Sequence, residues 1–438
     1  MTLNPKIGTS WRRRASALVA VAATAALIAG CSTGQATPTP SSTANPDDGT
    51  VLTMWARNTS NNLAQNIVDA YNATHKNLIQ LTIIPNETFQ TKVAAAAAAG
   101  ALPDILASDV VYSPNYVQQG LFLDITKEVK GLPFYDDLSH AHTNAASLDG
   151  KIYGTPFIVD SSLILYNKTL FEEAGLDPEK GPASYADILK DAKAIQALNK
   201  PDTYGFYFGG NCPGCNAYTM FGNLAAGGDE PFTDNGKTAN FDTATMEATL
   251  KLYKQLWDQG LVAPSAQTEP GATWNTLFNE GKIGILPRGT GNFANLKDVP
   301  FEWGVTALPS PDGKSTSAFI GGDVAGISST STHPDQAWNF LEWSLGEQNQ
   351  VNVIAKSGSL PSRVDLADND YSKASPQVVL AIKGEATGYT PSTIGYANAI
   401  NNANGPWLKM VRDYIFNGNA NAIKDGEKAI QASLDEVQ

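Results

Sequence analysis

Cysteine, histidine and positive charge are scarce in this chain of 438 residues, and each shortage removes a class of function. With three cysteines and four histidines a zinc site lacks ligands. None of His75, His140, His142 and His333 lies near Cys212 and Cys215 in sequence, and His140 and His142 stand two apart in what reads as a loop. Lysine and arginine total 30 against 43 acids, a formal charge of −13 that repels nucleic acid and anionic headgroups. Beyond residue 31 the longest apolar candidate, residues 93–101, is alanine-rich and far too short to span a bilayer. A Gly-x-Ser-x-Gly nucleophile elbow is missing. Gly313-Lys314-Ser315 lacks the upstream glycine of a phosphate loop, because Leu308 stands there. Gly289-Thr290-Gly291-Asn292-Phe293-Ala294 satisfies a lenient dinucleotide fingerprint but opens no βαβ unit. No internal repeat is visible. What remains, 42% hydrophobic and 17% charged, is ordinary globular composition with core enough for two or three domains.

The N-terminus carries an address. Lys6 and Arg12-Arg13-Arg14 precede an uncharged run over residues 15–28, followed by small residues. That order reads as a secretory signal over residues 1–30. Leu27-Ile28-Ala29-Gly30-Cys31 resembles the lipobox of bacterial lipoproteins. The resemblance implies a lipidated Cys31 as first mature residue, and a cell-membrane location on the extracytoplasmic face, held through the lipid anchor only. An ordinary signal peptide or membrane anchor with an incidental cysteine is the alternative. Losing the leader's four basic residues makes the mature chain four charges more negative. Residues 32–49 are a tract of Thr, Pro, Ser and Ala that cannot bury a core. As a flexible tether of roughly 18 residues they would span on the order of 25 Å. Export also places Cys212 and Cys215, in Asn-Cys-Pro-Gly-Cys-Asn, where a disulfide is favoured. So short a loop gains about 2 kcal/mol. A redox pair behind the strand-like residues 204–208, or a metal site, are the other readings.

The body alternates strands and helices. Strands are expected at residues 51–55, 78–84, 103–107, 282–286 and 325–328, with a polar turn at 56–59 after the first. Helices are expected around Ile67, Val68 and Tyr71, from Phe89 to a stop at Gly100, and over 182–197, 246–260, 334–345, 406–416 and 420–437. Trp338 and Trp343 fall in a helix stripe and read as core. This is α/β, too long for one compact sheet, so two lobes are the natural division.

Four stretches are similar to one family. They are residues 91–106 (TKVAAAAAAGALPDIL), Asp149-Gly-Lys-Ile-Tyr-Gly-Thr-Pro156 with Asp160 and residues 165–176 (LYNKTLFEEAGL), Glu280-Gly-Lys-Ile-Gly-Ile285, and residues 319–327 (FIGGDVAGI) with the helix from His333-Pro334. They resemble, in order, the family 1 extracellular solute-binding proteins of bacterial ABC sugar importers, which include the maltose-binding type. A single Tyr166 stands before Asn167 where the family has a tyrosine pair. The resemblance implies a two-lobed, periplasmic-binding-protein-like (Venus-flytrap) α/β fold with a hinge of crossing strands, and residues 156–167 suit the first crossing. The implied lobes are 50–158 plus 318–345, and 159–317 plus 346–438. It implies a monomeric receptor with a carbohydrate ligand and the membrane permease subunits of an importer as partners. No enzymatic activity, cofactor or metal is implied.

A sugar site needs aromatic faces for the C–H side of the rings, and carboxylates, amides and arginines for hydroxyls. Loops after strands offer Trp55, Arg57 and Asn58; Glu87 and Phe89; and Asp109 and Tyr112. Asp160 and Ser161 sit at the crossing, Asn211 lies beside the cysteine pair that could brace a binding loop, and Trp274 precedes a helix. Arg288 and Asn292 follow a strand, Gly322 and Asp323 sit at the return crossing, and Arg363 lies beyond it. Tyr396 and Trp407 could reach in from the C-terminal segment. Helix caps, hinge contacts, surface ion pairs and plain core are the competing roles. Two functional alternatives stay open: an extracellular glycosidase using two of the acids, or a receptor for a peptide, glycerophosphodiester or polyamine.

Overall fold

The computed structural model describes residues 47–58, 62–385 and 387–437, the side chain of Glu87 excepted. The leader, Cys31 and the tether up to residue 46 lie outside the described residues. The last three residues assigned to the tether are anchored. The Asp47 carboxylate accepts the amides of Lys76 and Asn77 at 2.8 Å each, and the amides of Asp48 and Gly49 donate to Asn77 Oδ1. Among the described residues no helix is long and apolar enough to cross a membrane.

The first strands are β1 (Val51–Arg57), β2 (Leu78–Ile84) and β3 (Ile105–Asp109), all parallel, with β1 in the middle. Period-two burial in β1 puts Leu52, Met54 and Ala56 inward, against Ile67, Val68 and Tyr71 of helix α1 (Leu63–Asn72). The other face meets α2 (Asn86–Ala98) through Phe89 and Val93. β1 runs on to Arg57, so the polar turn begins later than its composition suggested. His140 and His142 lie in α3 (His140–Ala145), a short helix rather than a loop.

The strand that unites the molecule is β4 (Thr155–Asn167), every residue buried except half-exposed Asp160. Then come β5 (Tyr204–Phe206), helix α4 (Pro213–Ala226), β6 (Ile283–Gly289), β7 (Trp303–Thr306) and β8 (Ile320–Ile327). The eight strands form one sheet, ordered β2-β1-β3-β8-β4-β6-β5 with β7 also on β4. From Thr155 to Ser161 β4 pairs antiparallel with β8; from Ser162 onward it pairs with β6 and β7. The exchange of partners at mid-strand is the crossing between lobes.

Each lobe has its own core. Leu52, Met54, Ile105, Phe340 and Leu341 centre the first; Leu165, Phe206, Phe221, Leu250, Ile283 and Trp407 centre the second. Fully burying a side chain of this size contributes about 1.5–3 kcal/mol, so each lobe is held mainly from within. Ile354, placed in the second lobe by a boundary at residue 346, packs in the first core. The chain returns to the crossing at the bridge between Leu360 and Val159.

Candidate functional site

Strand ends supply the first half of the site. Arg57 closes β1, Asp109 closes β3, and sheet register sets Asp323 of β8 opposite Asp109. Arg57 Nη1 lies 3.0 Å from Asp109 Oδ2, its Nε donates to Asp323 Oδ1, and its Nη2 donates to the Gly322 carbonyl at 3.1 Å. Burial works against the guanidinium charge, but Asp109 and Asp323 more than offset it and raise the pKa. Burial also pushes the Asp323 carboxyl up, opposed by Arg57 and assisted by Asp109. Asp323 Oδ2 is buried without a hydrogen-bond partner. Gly322 has φ of +112°, and a Cβ there would stand 2.0 Å from the Ile158 carbonyl oxygen, so only glycine fits.

The crossing supplies the floor. Asp160 Oδ1 accepts the Thr290 hydroxyl at 2.6 Å and the Gly291 amide at 3.1 Å, tying β4 to the turn after β6. Arg57, Asp160, Thr290, Gly291, Gly322 and Leu360 line a pocket at this junction. The field of Asp160 is felt at Arg57, Asp323, Tyr218 and Arg288, which locates all five groups together.

The second half hangs on the other lobe. The Arg288 guanidinium lies 4.3 Å from the Trp274 ring centre, and its Nε donates to Asn275 Oδ1 at 2.6 Å. Burial lowers the Arg288 pKa, with Asp160 opposing. Trp274 is 3% exposed, yet its indole N–H has no partner; nor has the buried hydroxyl of Tyr218, on α4. Burial pushes the Tyr218 phenol well up, and Asp160 adds to it. Its ring presses on Gly289 and Gly321, where a Cβ would stand 2.2 Å and 3.2 Å from ring or hydroxyl atoms. At the rim, Tyr112 meets Tyr396 edge-on at 6.3 Å and accepts a hydrogen bond from the Asn401 amide. Burial, with the Asp109 charge, pushes the Tyr112 phenol to about 12.

The candidates therefore divide. Arg57, Asp109, Tyr112, Asp160, Trp274, Arg288, Gly322 and Asp323 converge. Phe89 belongs to the small core of Ile84, Val93 and Leu106. Trp407 is wholly buried, against Phe221 and Phe241, and donates to the Pro213 carbonyl at 3.0 Å. Arg363 pairs with Asp365 and stacks at 3.8 Å over Phe134, away from the cluster. These three have their polar or aromatic surface already used within one lobe and stand apart from the converging group. Trp55 is half-buried beneath Lys92 at 4.7 Å. Asn58 and Asn211 are exposed, and each uses its backbone amide, on Ile84 and Glu269 respectively. Asn292 is 1% exposed, its Oδ1 taken by Asn295 and its Nδ2 unpartnered. Glu87 lies on α2, with its side chain outside the described atoms.

Tyr218, Thr290 and Asn275 escaped the sequence reading. Tyr218 lies three residues after Cys215, but a tyrosine inside an apolar helix gives no outward signal. Cys212 and Cys215 are joined by a disulfide, with Cys212 capping α4: its Sγ accepts the Cys215 amide at 3.1 Å. Among the described residues no group of three or more His, Cys, Asp or Glu could hold a metal ion.

A family model described as bacterial extracellular solute-binding protein matches residues 66–379. The chain is similar to the diacetylchitobiose binding protein DasA of Streptomyces coelicolor, at 24% identity over 88% of this chain and 89% of that protein. It is also similar to the maltodextrin-binding protein MdxE of Bacillus subtilis, at 24% identity over 80% of this chain and 81% of that protein. Among solved structures, the sugar-binding protein MalE of Xanthomonas citri matches with a TM-score of 0.77 and 20% identity, over 88% of this chain and 98% of that one. That last likeness is one of fold.

Proposed function

The chain belongs to the bacterial extracellular solute-binding proteins, and from that premise we propose that it captures a sugar or oligosaccharide between its lobes for an ABC importer. One observation carries the reading. Buried polar atoms without partners, Tyr218 Oη, Trp274 Nε1 and Asp323 Oδ2, converge on a crossing already crowded with Arg57, Asp109, Asp160 and Arg288. Leaving such atoms unmade costs about 1–3 kcal/mol each. A polyol offers both donors and acceptors to them, while the Trp274 ring suits the apolar face of a pyranose. Relatives named for diacetylchitobiose and maltodextrin support this class.

Ligand contacts to both lobes favour the closed arrangement by their difference between the two states. Lipidation at Cys31 would keep the receptor beside its permease and raise its effective concentration there. We assign ligand contact to the eight converging residues and Tyr218, and treat the protein as a monomer without catalytic activity. Asp109 and Asp323 share one arginine, and Asp160 is held by Thr290 and Gly291, so these acids are engaged in holding the crossing together, which supports the binding reading.

The test is a thermal-shift and calorimetric screen of maltodextrins, chitobiose derivatives, polyamines and glycerophosphodiesters. A ligand that binds only the folded form raises the melting temperature. A sugar should do so without being consumed. Response to a polyamine alone would overturn the substrate class, and sugar turnover would overturn the receptor.

A further inference from the structure

The loop that carries Trp274 is fastened at two points. The first is Glu269, 4% exposed, whose carboxylate accepts the Gly271 amide at 2.7 Å, the Thr273 amide at 3.1 Å, the Thr273 hydroxyl and the Tyr207 hydroxyl at 3.4 Å. The Glu269 carbonyl accepts the Asn211 amide at 3.0 Å, joining this loop to the one ahead of α4. The second is the disulfide. A Cβ on Gly271, whose φ is +102°, would stand 2.8 Å from Cys212 Sγ and 2.9 Å from Cys215 Sγ. On Gly209 a Cβ would meet Cys212 Cβ at 3.1 Å. The sulfurs are thus wedged between residues 209 and 271, at the head of the helix that bears Tyr218.

We propose that the Cys212–Cys215 disulfide is a positioning element of the ligand site, holding residues 269–274 so that Trp274 and Arg288 keep their stacked geometry. This rests on the reading of the cleft as a sugar site. The bond keeps its two sulfurs about 2 Å apart. A dithiol reagent breaks it by giving up two electrons and two protons, leaving two thiols and the reagent's own cyclic disulfide. Unbonded sulfurs must then draw apart to van der Waals contact. Gly209 and Gly271 press on either side, so the loop gives way. Helix α4 does not, because Met220, Phe221 and Leu224 hold it in the core.

The experiment compares full-length protein before and after dithiothreitol, by amide exchange and by titration with maltotriose and diacetylchitobiose. Exchange at Gly271 and Thr273 is expected to rise about tenfold on reduction while β1 is unchanged. Sugar affinity should fall about tenfold and return on reoxidation. Cys212→Ser with Cys215→Ser should repeat both changes. Gly271→Ala, where a methyl cannot fit beside the sulfurs, should loosen the loop in oxidised protein. A bond that serves stability alone would lower the melting temperature with exchange at 271 and 273, or affinity, unaltered; either result overturns the proposal. Loop exchange that responds while neither sugar binds in either state supports the strut and overturns the sugar reading.

Discussion

The two sides of the cleft are built on opposite plans. On the first lobe, Arg57, Asp109 and Asp323 stand on strands of one sheet and are paired with one another, with Asp323 Oδ2 left open. On the second, Trp274 stands on a loop and Tyr218 on a helix, and their polar atoms are unpartnered. A charge cluster fixed by sheet register has little freedom to adapt, whereas a loop fastened at a few points can be retuned by one substitution. On the proposed reading, the first side supplies a rigid anchor and the second tells ligands apart.

The most severe way to break the contrast is Arg57→Ala. It leaves the wholly buried Asp323 beside Asp109 with no counter-charge. Removing one partner of a buried ion pair costs about 3–5 kcal/mol. Urea unfolding should show a loss of that order, together with loss of sugar binding. A variant as stable as the parent would mean that the cluster is not the anchor.

Next is a group at the crossing that answers to neither side. Glu385, at the end of the helix Pro376–Glu385, buries both carboxylate oxygens without a partner, and burial pushes its pKa to about 8. Asp136, His140 and Tyr389 line the same pocket. Between the ordinary value of 4.5 and about 8 the folded protein keeps a proton that the unfolded chain has lost. Stability should therefore fall as pH rises through that window. Glu385→Gln should flatten the profile measured by thermal melts from pH 5 to 9. An unchanged slope would place the titrating group elsewhere.

How far the sequence leads depends on the range of the interaction. Leu78–Ile84 and Pro334–Leu345 match their expected limits, because alternation and a proline-led apolar stripe are local signals. β8 begins five residues earlier than expected, at Ile320, since Gly321-Gly322 reads as loop until the Ile158 carbonyl is found against it. Asp109, Asp160 and Asp323 were legible as strand-end or crossing acids. That one arginine would hold Asp109 and Asp323 was not, because Arg57 and Asp323 are brought together by sheet order across 266 positions of chain. Phe89 and Trp407 share the composition of site residues and differ from Trp274 only in what lies around them.

On the loop side the informative effects are in affinity, although truncating Trp274, buried in the second core, also costs stability. Trp274→Ala removes both the stacking face and the orphan N–H; titration with the best sugar should show a loss of about 2 kcal/mol. Tyr218→Phe deletes a hydroxyl that faces the Asp160 carboxylate without a well-formed hydrogen bond, so the free protein should lose little stability. The complex should lose about 1 kcal/mol, the worth of one hydrogen bond. If Tyr218→Phe binds as well as the parent, the orphan hydroxyl does not read the ligand.

Trp407→Phe is the mildest test, and it asks how deep the second side reaches. The indole donates to the carbonyl of Pro213, the residue that follows Cys212, and packs on Phe221 and Phe241. Phenylalanine keeps an aromatic ring there and loses the hydrogen bond, which costs about 1 kcal/mol of stability. Sugar affinity should change less than about twofold, because the hydrogen bonds of Glu269 and the disulfide hold the loop independently of the core beneath. A drop in affinity equal to that of Trp274→Ala would return Trp407 to the site, and with it the idea that the second lobe reads its ligand through its core.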